Sequence, residues 1–157
     1  MAKRLWKEAG IPVLPWRVVR AEDLEGAALE DALAAVESVF PYPVFVKPAS
    51  AGSSVGAAKA SDRAALEATV RDALRYDVKC IVEPFTPARE IEVSVIGGAL
   101  PRSFPPGEIA PSHEFYDYEA KYVDPDGAAL LIPAPLAPEL AASIRAMAER
   151  AYRAAEL

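Results

Sequence analysis

The stretch FVKPASAGSSVG, residues 45–56, joins a short apolar run, a lysine and a loop of mostly small side chains. The pattern predicts a strand over Val44 to Lys47 and a second strand that begins near Gly56. Small residues leave main-chain N–H groups accessible, and Lys47 adds a positive charge at the end of its strand. From these residues alone, the loop could bind a phosphate, or it could be a plain hairpin with a solvated lysine.

Neither common phosphate-binding motif describes this stretch. In a Walker A motif the lysine follows the glycines and a helix comes next, whereas here Lys47 precedes the glycines and a strand comes next. The pattern G-x-G-x-x-G occurs nowhere in the sequence. Any phosphate site at this loop must therefore be of a different kind.

Helices and short strands are predicted around the loop. Apolar residues recur at helical spacing in two segments, which are Leu29, Leu33, Val36 and Phe40, and then Leu66, Val70 and Leu74. The second of these helices is expected to start at Ser61-Asp62. Strands are predicted at Cys80 to Glu83, Glu90 to Ile96 and Ala99 to Phe104, and a loop from Pro105 to Gly127. A last helix from Pro138 is predicted to bury Leu140, Ile144, Met147 and Ala151.

Composition limits the class of protein. The 157 residues are 52% hydrophobic and carry a formal net charge of -6, which suits one soluble core and gives no general attraction to nucleic acid or to an anionic membrane. No apolar stretch approaches the roughly 20 residues that a membrane span needs. We therefore expect a cytoplasmic protein that binds anions only at local sites.

Cysteine and histidine are too scarce for several kinds of catalytic or metal site. The chain has one cysteine, Cys80, and one histidine, His113. An internal disulfide is excluded, a structural zinc site is disfavoured, and Cys80 among apolar neighbours is typical of a packed thiol. We interpret His113 as a loop residue, so Lys, Glu, Asp, Tyr and main-chain groups must carry any chemistry.

Two further segments could take part in a site. Glu83-Pro84-Phe85-Thr86 leaves a strand, and Glu90 follows seven residues after Glu83; main-chain groups and carboxylates in this arrangement could bind adenine and ribose, or the segment could be a solvated connector. The segment FYDYEAKY, residues 115–122, could be a polar loop or a partner-binding patch. Asp124 to Gly127 is interpreted as a turn, because it lacks the spacing of a calcium loop.

Taken together and in this order, the segments AGIPVLPW, FVKPASAGSSVG, IVEPFTPAREIEVSVIGG and FYDYEAKY resemble the D-alanine:D-alanine ligase family of the ATP-grasp superfamily. The resemblance implies an α+β fold, mainly an antiparallel sheet with packed helices. It also implies that residues 1–22 are the end of an entry helix and a strand, and residues 23–135 the central nucleotide-clamping subdomain with a mobile loop at about 106–128. Residues 136–157 would be the first helix of the C-terminal subdomain.

The resemblance also implies roles for particular residues. Lys47, Ser53 and Ser54 would bind the phosphates of ATP, and Glu90 would bind its ribose. Adenine would be bound by the carboxylate of Glu83 and by the main chain of Pro84, Phe85 and Thr86. Lys121, Tyr122 and Tyr116 would come from a lid, with Lys121 directed at the transferred phosphate and Tyr122 at the loop that carries Ser53 and Ser54.

The implied activity is ATP-dependent, ADP-forming ligation of two D-alanines through a D-alanyl phosphate, for peptidoglycan precursors and so for cell wall biogenesis and cell shape. No metal ligand is assigned in this chain, and Mg²⁺ would be held by residues outside it. The chain is expected to be a central fragment of a homodimeric enzyme, truncated at both ends and inactive by itself. D-alanine:D-lactate ligation, another ATP-grasp carboxylate-amine ligation and a non-catalytic nucleotide-binding module remain alternatives.

Overall fold

The computed structural model describes residues 2–112, 123–124 and 127–156. Packing divides the chain into two units. The first unit contains residues 14–87 and 123–124, and the second contains residues 2–13, 88–112 and 127–156 of the described chain. None of the helices in these described ranges is long and apolar enough to cross a lipid bilayer.

The first unit is a four-stranded antiparallel sheet with helices on one face. Its strands pair in the order β1-β4-β2-β3. The elements, in chain order, are β1 (Arg17–Arg20), a 3-10 turn (Ala21–Asp23), α2 (Gly26–Glu37), β2 (Val44–Pro48), β3 (Ala58–Ala60), α3 (Arg63–Ala73) and β4 (Lys79–Pro84). Helix α1 (Ala2–Glu8) belongs to the second unit.

The core of the first unit lies between the sheet and helices α2 and α3. Alternate residues of β2 are buried, so Val44 and Val46 point toward the helices. The predicted stripes of both helices are in this core, which contains Leu29, Leu33, Val36, Phe40, Leu66 and Val70. As predicted, the helix starts at this point: Asp62 is the N-cap of α3, and its Oδ1 accepts a hydrogen bond from the Ala65 N–H at 2.8 Å.

Cys80 is buried in the same core. Its side chain points to the helix-covered face of β4. Burial raises the pKa of the thiol to about 12, because the charged thiolate is disfavoured away from water. The interpretation of Cys80 as a packed thiol agrees with this environment.

The second unit contains two small antiparallel sheets and two helices. A three-stranded sheet has the order β5-β8-β9, and β6 pairs with β7. The elements after residue 87 are β5 (Glu90–Glu92), β6 (Val95–Ile96), β7 (Arg102–Ser103), β8 (Gly107–Pro111), β9 (Ala128–Leu131) and α4 (Pro138–Ala154). Trp6 Nε1 donates to the Ala151 carbonyl at 3.1 Å and so connects α1 with α4.

Four local predictions need correction in this unit. The strand predicted over Glu90 to Ile96 is divided into β5 and β6, the strand predicted over Ala99 to Phe104 is only the two residues of β7, and the loop predicted from Pro105 contains strand β8. Helix α4 begins at Pro138 as predicted, but Leu140 is 50% exposed and no residue of α4 is fully buried. Strand limits depend on distant pairing partners and helix burial depends on what packs there, and neither is encoded in local periodicity.

The antiparallel α+β fold inferred from the sequence is confirmed. The subdomain boundaries that the resemblance implies, at residues 22 and 135, stay a prediction.

Two valines of the first unit provide a matched test of the core. Val70 has no exposed surface, whereas Val78 is 72% exposed. We expect Val70→Ala to lower the free energy of unfolding by about 2 kcal/mol, through lost burial and a residual cavity. Val78→Ala should change it by less than about 0.5 kcal/mol. Urea unfolding followed by circular dichroism measures both, and equal effects would contradict this description of the core.

Candidate functional site

Strands β2 and β4 present a second face that carries the predicted site residues. Phe45 is opposite Glu83 in the antiparallel register, and Lys47 is opposite Ile81. Residues directly opposite each other in a sheet share a face, so these side chains lie together on the side away from α2 and α3. The same alternation that fills the core therefore brings a lysine and a glutamate to the other face.

Lys47 and Glu83 form an ion pair across this face. The Lys47 Nζ atom lies 2.6 Å from Glu83 Oε2, and the side chains are 40% and 5% exposed. Burial lowers the pKa of the Lys47 ammonium from its ordinary value, while the adjacent carboxylate favours the charged form. The pair is thus a buried anion beside a cation that still reaches solvent, and an incoming anionic group can contact that cation.

A small cavity adjoins the buried glutamate. It has a volume of about 170 Å³ and is lined by Leu14, Phe45 and residues 83–86. The rings of Phe45 and Phe85 lie 6.4 Å apart, and the Lys59 Nζ atom lies 4.5 Å from the centre of the Phe85 ring. Apolar walls beside one carboxylate suit a flat heteroaromatic group with a hydrogen-bond donor at its edge.

Main-chain hydrogen bonds restrict how the segment 84–86 can bind a ligand. Pro84 has no N–H group, and the Phe85 N–H donates to the Pro43 carbonyl at 3.0 Å. Thr86 follows them and is exposed. A ligand that needs a main-chain donor from this segment can therefore receive it from the Thr86 N–H, while the carbonyls remain acceptors.

The serine loop, residues 49–57, joins β2 to β3 as predicted. Its tip contains two successive turns, with the Val55 N–H donating to the Gly52 carbonyl and the Ala57 N–H to the Ser54 carbonyl, both at 3.1 Å. Ser53 and Ser54 have φ angles of 56° and 57°. This left-handed conformation costs roughly 1–2 kcal/mol for each non-glycine residue, so the predicted phosphate ligands have an uncommon backbone that the surrounding loop must maintain.

Glu90 belongs to the second unit, where it lies on β5 opposite Ile109 of β8. The preceding residue, Arg89, forms a two-pronged ion pair with Glu108, with both N–O distances at 2.7 Å. Arg89 also donates to the Pro135 carbonyl at 3.2 Å. These contacts fix the start of β5 within its own unit and thereby the position of Glu90.

The lid residues predicted from the sequence, Tyr116, Lys121 and Tyr122, lie outside the described residues, as does His113. Their roles stay predictions. Within the described ranges, no group of three or more acidic, histidine or cysteine side chains could hold a metal ion.

Some residues at the candidate site were missed from the sequence. Leu14 and Phe45 line the cavity, and Lys59 packs over Phe85. Alternation along β2 was a usable signal for Phe45, because it places this residue on the same face as Lys47. Lys59 and Leu14 gave no comparable signal, since their positions depend on strand pairing and on a distant segment.

A family model described as D-ala D-ala ligase C-terminus matches residues 5–157. The chain belongs to this ligase family. The chain is 50% identical over 152 residues to a D-alanine--D-alanine ligase of Heliobacterium modesticaldum, covering 97% of this chain and 41% of the relative. It is 48% identical over 159 residues to a D-alanine--D-alanine ligase of Methylobacterium sp., covering 98% of this chain and 40% of the relative.

A solved ligase structure has the same fold. The chain matches the VanG D-Ala:D-Ser ligase of Enterococcus faecalis with a TM-score of 0.85 and 29% identity, covering 99% of this chain and 43% of that one. The chain therefore spans about two fifths of the length of the ligases that it matches.

The Arg89–Glu108 ion pair should stabilise the folded chain at neutral pH, and this contribution should be lost in acid. Hydrogen bonding from Arg89 lowers the pKa of Glu108 below its ordinary value of 4.5. A carboxylate with a lowered pKa in the folded state stabilises the protein above its unfolded pKa, and this contribution is lost as the pH falls through the folded value. We expect the stability difference between the parent and Glu108→Gln to be constant near pH 7 and to shrink below about pH 4.5.

Urea unfolding at several pH values measures this difference. Glu139→Gln, at the exposed first turn of α4, is the control, and its difference from the parent should stay small throughout. A difference for Glu108→Gln that does not change with pH would contradict the assignment.

Proposed function

We propose that the protein carrying this chain is an ATP-dependent D-alanine:D-alanine ligase, and that this chain supplies its nucleotide clamp. The observation that carries the proposal is the Lys47–Glu83 pair on the face of the sheet away from α2 and α3, with Nζ and Oε2 at 2.6 Å. Glu83 also lines the cavity formed with Phe45 and residues 84–86. This face thus offers a cation that can contact a phosphate chain and a hydrogen-bond acceptor that can contact the amino group of a base.

Adenine is assigned to the cavity. The Glu83 carboxylate accepts a hydrogen bond from the exocyclic amino group, and the Thr86 N–H donates to a ring nitrogen. Pro84 and Phe85 contribute carbonyl groups and an apolar wall. Phe45 on β2 and Lys59 on β3 both contact the Phe85 ring, which helps to keep the segment in place.

The phosphates are assigned to Lys47 and to the serine loop. Lys47 keeps part of its surface exposed while it contacts Glu83, so its ammonium can turn from the carboxylate to a phosphate without leaving the site. The hydroxyls and main-chain N–H groups of Ser53 and Ser54 complete the contact. Glu83 is then released to accept from adenine, and each partner of the resting pair contacts a different part of the nucleotide.

The remaining roles follow the family resemblance. Glu90 holds the ribose hydroxyls, and the lid residues Lys121, Tyr122 and Tyr116 close over the transferred phosphate and exclude water. The γ-phosphate passes to the carboxylate of one D-alanine, and the amine of a second D-alanine then displaces phosphate to form the amide. Side chains in such a reaction mainly position groups and neutralise charge.

We also propose how the product is used, where the enzyme works and how it assembles. The product is a peptidoglycan precursor, the enzyme works in the cytoplasm as a homodimer, and it uses neither nucleic acid nor membrane as a partner. Mg²⁺ is expected from ligands beyond this chain.

A second candidate concerns the acceptor substrate. The solved neighbour is named a D-Ala:D-Ser ligase, so an acceptor other than D-alanine, such as D-serine or D-lactate, remains a candidate for the same chemistry. A nucleotide-binding module without activity is the alternative from another class. Ligation assays of the full-length protein with each acceptor separate these possibilities.

Lys47→Ala should weaken ATP binding about tenfold or more, because a charge-assisted contact is worth about 1.5 to 3 kcal/mol. Amide NMR titrations of the chain measure the dissociation constant even when binding is weak. The matched control is Lys7→Ala on α1, which should bind ATP like the parent. Equal affinity of Lys47→Ala and the parent would remove Lys47 from the site.

Glu83→Gln should change base selectivity. The neutral side chain makes a weaker contact with the adenine amino group, so we expect ATP affinity to fall about fivefold to tenfold. Purine riboside triphosphate lacks that amino group, so its affinity should change little between the parent and Glu83→Gln. A similar loss for both nucleotides, measured by the same titration, would contradict the adenine role of Glu83.

A further inference from the structure

Both ends of the serine loop contact the turn between α3 and β4. At its start, Asp77 Oδ2 accepts a hydrogen bond from the Ser50 N–H at 2.7 Å, and the Ala49 N–H donates to the Lys79 carbonyl at 3.1 Å. At its end, a Cβ atom added to Gly56 would lie 2.6 Å from Tyr76 Cδ2. Two consecutive residues, Tyr76 and Asp77, thus support opposite ends of the same loop.

Asp77 is suited to hold its end of the loop. Desolvation acts to raise the pKa of this carboxyl, but hydrogen bonds from Ser50 and from the main chain of Val78 and Lys79 give a net lowering. The group therefore stays ionised at neutral pH, and a carboxylate is a stronger acceptor for an N–H group than a neutral oxygen. The contact joins residues 27 positions apart.

Tyr76 restricts the other end. Gly56 has a φ angle of 68° and lies against the Tyr76 ring. A left-handed conformation and a close approach of the ring both require glycine at this position. The chain beyond the serines therefore enters β3 along one path.

We infer that Tyr76 and Asp77 are positioning residues that hold the serine loop in its phosphate-binding conformation before the nucleotide arrives. The inference rests on the proposed phosphate role of that loop. A loop of glycine and serine loses much conformational entropy when it closes on a ligand. Fixing both ends in advance lowers that loss, and the uncommon backbone at Ser53 and Ser54 needs such support.

The test compares ATP with adenosine, which lacks phosphates but keeps the base. Asp77→Ala should weaken ATP binding about fivefold or more while adenosine binding changes by less than about twofold, because the cavity at residues 83–86 is at the other end of β4. Asp77→Asn keeps an acceptor oxygen and should restore most of the ATP affinity. The control is Asp72→Ala on α3, whose carboxylate contacts Arg75 and not the loop.

A spectroscopic readout reports on the loop without any ligand. The Ser50 amide proton should exchange slowly and resonate downfield in the parent and in Asp72→Ala. It should lose both properties in Asp77→Ala and keep part of them in Asp77→Asn. If Asp77→Ala proves unfolded, Tyr76→Ala tests the other end, and faster exchange of the amides of Ser53 to Gly56 with weakened ATP binding is then the expected result.

Lys47→Ala separates the two proposals. Suppose that Lys47→Ala weakens ATP binding more than adenosine binding, and that Asp77→Ala does not. The positioning role of Asp77 is then wrong, while the phosphate site at Lys47 stands. If Lys47→Ala leaves the ATP-to-adenosine ratio unchanged, the phosphate site itself is wrong. Equal losses of ATP and adenosine in Asp77→Ala would indicate general destabilisation and would also overturn the inference.

Discussion

The pairing register of β2 with β4 determines both the core and the candidate site. Val44, Val46 and Val82 lie on one face and complete the packing against α2 and α3, while Lys47 and Glu83 lie on the other. A slip of one residue would exchange the two faces and place a lysine among buried valines. The burial of apolar surface that stabilises the first unit therefore also fixes the relative positions of the cation and the carboxylate. Substitutions in the core should affect ligand binding through this register.

Sequence periodicity predicted the first unit well because its signals are local. The stripes of α2 and α3, the Asp62 cap and the hairpin on either side of the serine loop all depend on residues close in sequence. Predictions failed where a strand or helix depends on a segment that is distant in the sequence. Strand β8 is defined by its pairing with β5 and β9, and Leu140 is exposed although α4 has an apolar stripe. A stripe shows which side of a helix could be buried, but not whether another segment covers it.

The candidate site shows the same division. Lys47 and Glu83 were identified from motifs, and their contact follows from the strand pairing. Phe45, Leu14 and Lys59 were missed, since an aromatic or aliphatic residue is usually part of a core and a lysine is usually solvated. The support of the serine loop by Tyr76 and Asp77 was also not evident from the sequence, because Ser50 and Asp77 are separated by 27 positions. Residues proposed to contact a ligand were easier to predict than residues that support the loop carrying them.

The net charge of -6 makes the local arrangement around Lys47 important for binding an anion. A lysine left alone on this face would be hydrated and mobile, and ordering it would oppose binding. Contact with the buried Glu83 orders the ammonium in advance, and the 40% exposure of Lys47 leaves room for a phosphate. The same contact competes with that phosphate, so an anion without a base would have to displace Glu83 with no compensation. In the proposed binding mode a nucleotide supplies the compensation, because its base offers Glu83 a new donor. Binding of the base and binding of the phosphates should therefore be cooperative, which favours an intact nucleotide over either part.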